Sequence, residues 1–127
     1  MRFIPTSIHG VIDYIVGLTL ILSPFLLGFA TGGPAQWVPI ILGAVVIVQS
    51  VMTRYELGLF PVIPMKTHLT LDGLNGALLL VSPWLFGFAG LVFLPHVLIG
   101  LFEIGASLMT EKVVRHRITG TPGHVGR

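Results

Sequence analysis

The chain contains no cysteine, which excludes disulfides, thiolate nucleophiles and thiolate metal ligands. Charge is nearly as scarce. Only 9% of the 127 residues are Asp, Glu, Lys or Arg, against about 25% in an ordinary soluble domain. So few charges cannot coat a particle this small, and the bilayer is the solvent that such a composition calls for. Glycine-rich phosphate loops, a nucleophile elbow and Cys/His zinc spacing are also missing. No motif therefore names a reaction, a metal or a cofactor. The net charge of +2 is confined to loops and the tail, which argues against a nucleic-acid partner.

What the chain has in excess is apolar residues, at 54%. They fall in four runs, residues 7–30, 37–53, 68–89 and 94–110. A crossing helix needs about 20 apolar residues, so the runs predict an all-α, four-span transmembrane helical bundle occupying residues 1–110. The first run is too long, and too weakly basic before its start, to be a signal peptide. It is predicted to stay as the first span. Breakers in Thr31–Gln36 end it. The connection 54–67 carries Arg54, Glu56 and Lys66, and Pro61 and Pro64 bar a continuous helix there. Its apolar members, Tyr55, Leu57, Leu59, Phe60, Val62 and Ile63, predict a segment lying in the membrane interface. The glycine-containing basic tail, 111–127, is expected to fray.

All seven Lys and Arg fall on one side of this four-span arrangement: Arg2, Arg54, Lys66, Lys112, Arg115, Arg117 and Arg127. The positive-inside rule then predicts cytoplasmic termini and a cytoplasmic long connection. Trp37 and Trp84 fall near the opposite interface, where amphipathic rings prefer to sit.

The runs are copies. Ser23-Pro24-Phe25-Leu26-Leu27-Gly28-Phe29-Ala30 returns 59 positions later as Ser82-Pro83-Trp84-Leu85-Phe86-Gly87-Phe88-Ala89. At the same shift His9 matches His68, Asp13 Asp72, Gly17 Gly76 and Leu20 Leu79. The second and fourth runs align at a shift of 57, through Gly43/Gly100, Ile47/Ile104, Ser50/Ser107, Met52/Met109 and Thr53/Thr110. The bundle is thus two tandem helical hairpins, about 7–53 and 68–110. With two spans each, both hairpins enter the membrane from the same side, a parallel repeat about an axis along the membrane normal.

The doubled Ser-Pro-aromatic phrase on paired spans resembles the SPW-repeat family of small bacterial integral membrane proteins. Ser82-Pro83-Trp84 matches in full, whereas Phe25 takes the Trp place in the first copy. The resemblance implies the fold and a multi-pass location in the bacterial inner membrane, and supplies no catalytic residues.

Each internal proline removes a backbone donor and frees the carbonyl four residues back, at Leu20 and Leu79. In lipid that carbonyl needs a partner, and the serine before the proline can help to supply one. A bend or loosened last turn is expected, with the aromatic as an anchor.

His9, Asp13, Gly17, Pro24 and Gly28 form one helical stripe, as do His68, Asp72, Gly76, Pro83 and Gly87. Polar and small residues on one stripe normally face other helices, so both His/Asp pairs should point inward near the cytoplasmic end, with His9 close to His68. Two polar residues break the repeat: Asn75 replaces Val16, and Glu103 replaces Val46. Their equal depth on neighbouring spans predicts a contact, with His96 the alternative partner for Glu103. The first-choice function is a non-enzymatic integral membrane protein, a structural or accessory subunit acting as a homo-oligomer or in a larger membrane complex. His9, Asp13, His68, Asp72 and Glu103 leave two alternatives open: a small transporter, channel or proton/metal-handling protein, and a haem-carrying redox subunit. A water-filled cavity reaching Glu103 would favour ion handling.

Overall fold

The computed structural model describes residues 2–114. They form four helices, α1 (Thr6–Leu26), α2 (Pro34–Val51), α3 (Met65–Leu85) and α4 (Leu94–Met109), and no strand beyond two isolated bridges. The part of the basic tail from residue 115 onward lies outside the described residues.

The bundle is two hairpins. α1 packs chiefly on α2 and α3 on α4, with lighter contacts of α2 on α3 and of α1 on α4, so α1 and α3 lie diagonally across the ring. Each hairpin is drawn together by a glycine pair. A methyl group on Gly43 would come within 2.6 Å of the Gly17 carbonyl, and one on Gly100 within 2.7 Å of the Gly76 carbonyl. Only glycine allows these backbones so close. By contrast, nothing lies within 4 Å of the place a methyl would take on Gly105.

The helices stop where the repeated phrase stops them. Gly28 and Gly87 take φ of +80° and +76°, the left-handed conformation that ends a helix. The expected spans through Ala30 and Ala89 are therefore shorter as helices. Phe29 and Phe88, instead of continuing outward, turn back into the bundle and pack with Ala35 and His96. At the other turn end, Pro34 begins α2 rather than breaking it, because a first-turn residue needs no backbone donor. Phe25 and Trp84 point outward and are exposed, as an anchor requires.

Among the described residues three prolines lie in helix interiors, and each leaves a carbonyl that a side chain recovers. Ser23 Oγ donates to the Leu20 carbonyl at 3.0 Å, and Ser82 Oγ to that of Leu79 at 2.7 Å. Pro39 frees the carbonyl of Ala35, which accepts from His96 Nε2 at 3.0 Å. His96 is the repeat counterpart of Pro39. The residue that stands in the place of Pro39 in the second hairpin thus mends the backbone that Pro39 leaves open in the first.

At the end where α1 begins and α4 finishes, the two hairpins close on one another. The Met109 carbonyl accepts from the Phe3 and Ile4 amides at 2.8 and 2.9 Å, and the Met52 carbonyl from Val62 and Ile63 at 2.9 and 2.7 Å. Ile4-Pro5 and Ile63-Pro64 obey the 59-residue shift, so the repeat extends upstream of the matched histidines. The chain entering each diagonal helix thus caps the helix that ends beside it, satisfying carbonyls that a helix terminus leaves free.

By length and apolarity, α1 and α2 are each sufficient to cross a membrane. α3 carries Lys66, His68, Asp72 and Asn75, and α4 has 16 residues. Even so, all four turn apolar residues outward: Ile15 and Leu18, Ile41 and Val48, Leu74 and Val81, Leu98 and Leu101 are exposed.

Two outcomes are expected from these contacts. Ser82→Ala should destabilise the bundle by about 1–3 kcal/mol, the range for a buried acceptor left unpaired. The double change Ser82→Ala, Pro83→Ala restores an amide donor to Leu79 and should be milder than the single change in detergent unfolding. Gly100→Ala should cost about 1–3 kcal/mol through overpacking, while Gly105→Ala should be neutral or stabilising by up to about 1 kcal/mol.

Candidate functional site

The i,i+4 spacing places His9 above Asp13 on α1 and His68 above Asp72 on α3, both facing the bundle axis. Because α1 and α3 stand diagonally, the two pairs meet. The relative exposures are 1%, 4%, 0% and 2% for His9, Asp13, His68 and Asp72, so the four side chains are sealed from solvent. The rings approach edge to face, with centroids 5.6 Å apart and planes at 80°.

The closest contacts are crossed. His9 Nε2 lies 2.7 Å from Asp72 Oδ2 and 3.0 Å from its own helix partner, Asp13 Oδ1. His68 Nε2 lies 2.8 Å from Asp13 Oδ2 and 3.1 Å from Asp72 Oδ2. Each histidine is therefore held most tightly by the carboxylate of the other hairpin.

The far side of each ring is pinned by a threonine. His9 Nδ1 is 2.7 Å from Thr110 Oγ1, and His68 Nδ1 is 2.7 Å from Thr53 Oγ1. Each hydroxyl spends its single hydrogen on a carbonyl one turn back, Thr110 on Ala106 at 2.6 Å and Thr53 on Gln49 at 2.5 Å. The hydroxyl oxygen can then only accept, so Nδ1 carries the hydrogen in both rings. Nε2 faces the carboxylates, with either a proton or a cation between.

The outer lone pairs of the carboxylates are held by residues without a matching counterpart. Tyr55 Oη donates to Asp13 Oδ2 at 3.0 Å, and Gln49 Nε2 donates to Asp72 Oδ1 at 2.5 Å. Tyr55 corrects one expectation: it belongs to the connection but does not lie in an interface. It is buried against His68, with Met65 and Leu69 beside it. Burial, reinforced by the Asp13 carboxylate, pushes its phenol above the usual range, so it remains a donor. Its neighbours strap the connection onto α1: Thr6 Oγ1 donates to Glu56 at 2.8 Å, and Tyr14 Oη to the Leu57 carbonyl at 2.9 Å.

Asn75 and Glu103 do not pair. Asn75 Nδ2 reaches Gln49 Oε1 at 3.4 Å, across the α2–α3 seam. Gly76 faces α4, against Gly100, Glu103 and Ile104. Asn75, one position earlier and about 100° round the helix, faces α2 instead. Equal depth was therefore shared with two neighbours, and the true partner, Gln49, itself replaces an alanine of the other hairpin, Ala106. His96 is no substitute partner for Glu103, since it lies at the opposite end beside Ala35 and Phe88.

Glu103 instead faces the α1–α4 seam. Its Oε1 is buried and makes no hydrogen bond within the protein. It borders a cavity of ≈ 10 Å³ shared with His9, Asp13 and Asp72 and walled by Val16 and Ala106. That is about the space one water needs. A cavity thus does reach Glu103, but it is a niche and not a path. Nor does the quartet fit the haem reading. Two axial imidazoles would have to stand on opposite sides of a flat macrocycle, whereas these rings meet edge to face with carboxylates between them.

Fold and site together define a duplicated, polar-centred helical bundle, a small membrane-type protein. The chain belongs to the SPW repeat family, whose domain matches residues 7–110. No curated protein and no solved structure shows significant similarity to it.

If the crossed contacts hold the hairpins together, deleting one partner should be costly. Asp72→Asn is expected to destabilise by about 3–5 kcal/mol. A double-mutant cycle pairing His9→Gln with Asp72→Asn in detergent should show a coupling of about 0.5–3 kcal/mol. Additive losses in that cycle and in the His68/Asp13 cycle would show that the quartet does not join the hairpins.

Proposed function

We propose that the chain is a non-enzymatic integral membrane protein of four spans, a structural or accessory subunit of the bacterial inner membrane. One observation carries this reading. The bundle departs from a soluble one: histidine, aspartate, glutamine, serine and threonine are buried in it beside Leu20, Leu42 and Leu79, and leucine, isoleucine and valine cover its outside. In water that surface would be an aggregation site, whereas in hydrocarbon it is the required one. α4 is short at about 24 Å by helical rise, and the folded-back Phe88 and Phe93 regions extend the apolar layer beyond it. The basic side, with Arg2, Arg54 and Lys66, then faces the cytoplasm.

The accessory role is supported by the tightness of the interior, which leaves no substrate path through the axis. It also has a seat for a partner. A shallow groove between α2 and α3, of ≈ 560 Å³, is lined by Ile41, Val45, Val48 and Leu71, with Gln49 and Asn75 at its floor. A neighbouring span, from a second copy or from another subunit, can lie there and hydrogen-bond to the half-buried Asn75 amide. Ion handling is the second reading, favoured by the unpartnered Glu103 carboxylate beside the quartet.

Reporters active on one side of the membrane, fused after residue 127 and within the 31–36 turn, should place the former in the cytoplasm and the latter outside. A periplasmic carboxyl terminus would reverse the orientation. Purification from native membranes in mild detergent should recover an oligomer or a stoichiometric partner; a monodisperse monomer would remove the accessory role.

A further inference from the structure

We propose that the His9–Asp13–His68–Asp72 quartet is a binding site for one divalent first-row metal ion of the zinc type. The ligand atoms are His9 Nε2, His68 Nε2 and one oxygen from each aspartate, and all four lie within 4.8 Å of one another. Two imidazoles and two carboxylates without sulfur form a set suited to Zn²⁺, Co²⁺, Fe²⁺ or Mn²⁺ and poor for Cu⁺.

The arrangement outside the ligands points the same way. A ligating histidine normally donates its other ring N–H to a fixed acceptor, which sets the tautomer and aims the lone pair. Here both rings do so, to Thr110 and Thr53, and each threonine is itself fixed on a helix carbonyl. Tyr55 and Gln49 perform the matching task for the carboxylates. Both nitrogens therefore present the same atom to a common centre. A tetrahedral ion with bonds of about 2.0–2.1 Å would separate its ligand atoms by about 3.3 Å. The crossed contacts of 2.7 and 2.8 Å would open by roughly half an ångström, and the widest ligand pairs, within 4.8 Å, would close toward the same spacing.

Charge agrees. Two carboxylates and one divalent ion sum to zero, the condition a low-dielectric centre demands. The niche beside the quartet leaves room for about one water at the site. Glu103, 6% exposed and with Oε1 unpartnered, borders that niche together with three of the four ligand residues. It can accept from a metal-bound water there. The inference stands on the quartet and is independent of whether the bundle is an accessory subunit.

The test uses the full chain in mild detergent, stripped with a chelator and then loaded separately with Zn²⁺ and Co²⁺. Elemental analysis should find about one zinc per chain after desalting, and Zn²⁺ should raise the unfolding temperature. Co²⁺ should give visible d–d bands of a four- or five-coordinate N/O site. The change Asp13→Asn with Asp72→Asn should abolish uptake. Should that variant fail to fold, Thr53→Val with Thr110→Val keeps all four ligands and should weaken affinity about 10–100-fold. Glu103→Gln should keep the stoichiometry and alter the Co²⁺ spectrum. Absence of zinc uptake and of cobalt bands in folded wild-type protein would overturn the proposal. So would unchanged uptake in a folded aspartate or threonine variant.

Discussion

Two carboxylates buried in an apolar bundle are the constraint on which this structure depends. An unpaired buried carboxylate is among the costliest groups a fold can hold. Each hairpin meets its own aspartate less closely than it meets the other's: within α1 the histidine lies 3.0 Å from Asp13, but its shorter contact, 2.7 Å, is to Asp72. Crossing the contacts makes each hairpin the counter-charge of the other. The diagonal placement of α1 and α3 follows from this need. So does the depth of the site, just inside the end where the connection can lay Tyr55 and the tail of α4 can lay Thr110 against it.

The same economy governs the backbone. Hydrocarbon offers no hydrogen bonds, so every irregularity must be closed from within. The carbonyls freed by the three intrahelical prolines and those of Met52 and Met109 are each closed by a named donor. Ser-Pro at the end of a span is therefore one unit: the proline opens a carbonyl and the serine before it closes the same carbonyl.

Much of this was legible in the residues. A 59-residue shift displays the two hairpins, and the His-Asp-Gly-Pro-Gly stripe places the quartet on inward faces at one end. The freed carbonyls of Leu20 and Leu79 and their serines could be named in advance, because they depend on local geometry alone. The crossing could not, since a stripe fixes the face of a helix but not which side chain opposite it comes closer. Thr53 and Thr110 stood out as an identical pair, yet nothing local says that a threonine back-bonded to its own helix will accept from a histidine on another. Gln49 has no identical mate at Ala106, and that mismatch is the signal that marks it. Depth alone pairs Asn75 with Glu103, but depth cannot separate two flanking helices. Hydrophobicity sets Tyr55 beside Leu57 and Phe60, whereas its hydroxyl decides its position.

The mutual capping of the hairpins has a topological consequence. The segment entering α1 sits on the end of α4, and the segment entering α3 sits on the end of α2. Around the ring, each seam between hairpins is made by the same kind of backbone exchange, but only one is bridged by a covalent link, through residues 54–62. The exchange at the other seam is made without such a link. A chain opened there and joined from Glu111 to Phe3 would present the same four helices, the same crossed quartet and the same caps in permuted order. Such a molecule is a cyclic object that happens to be written linearly, and two separate hairpin chains carry nearly all of the information needed to build it.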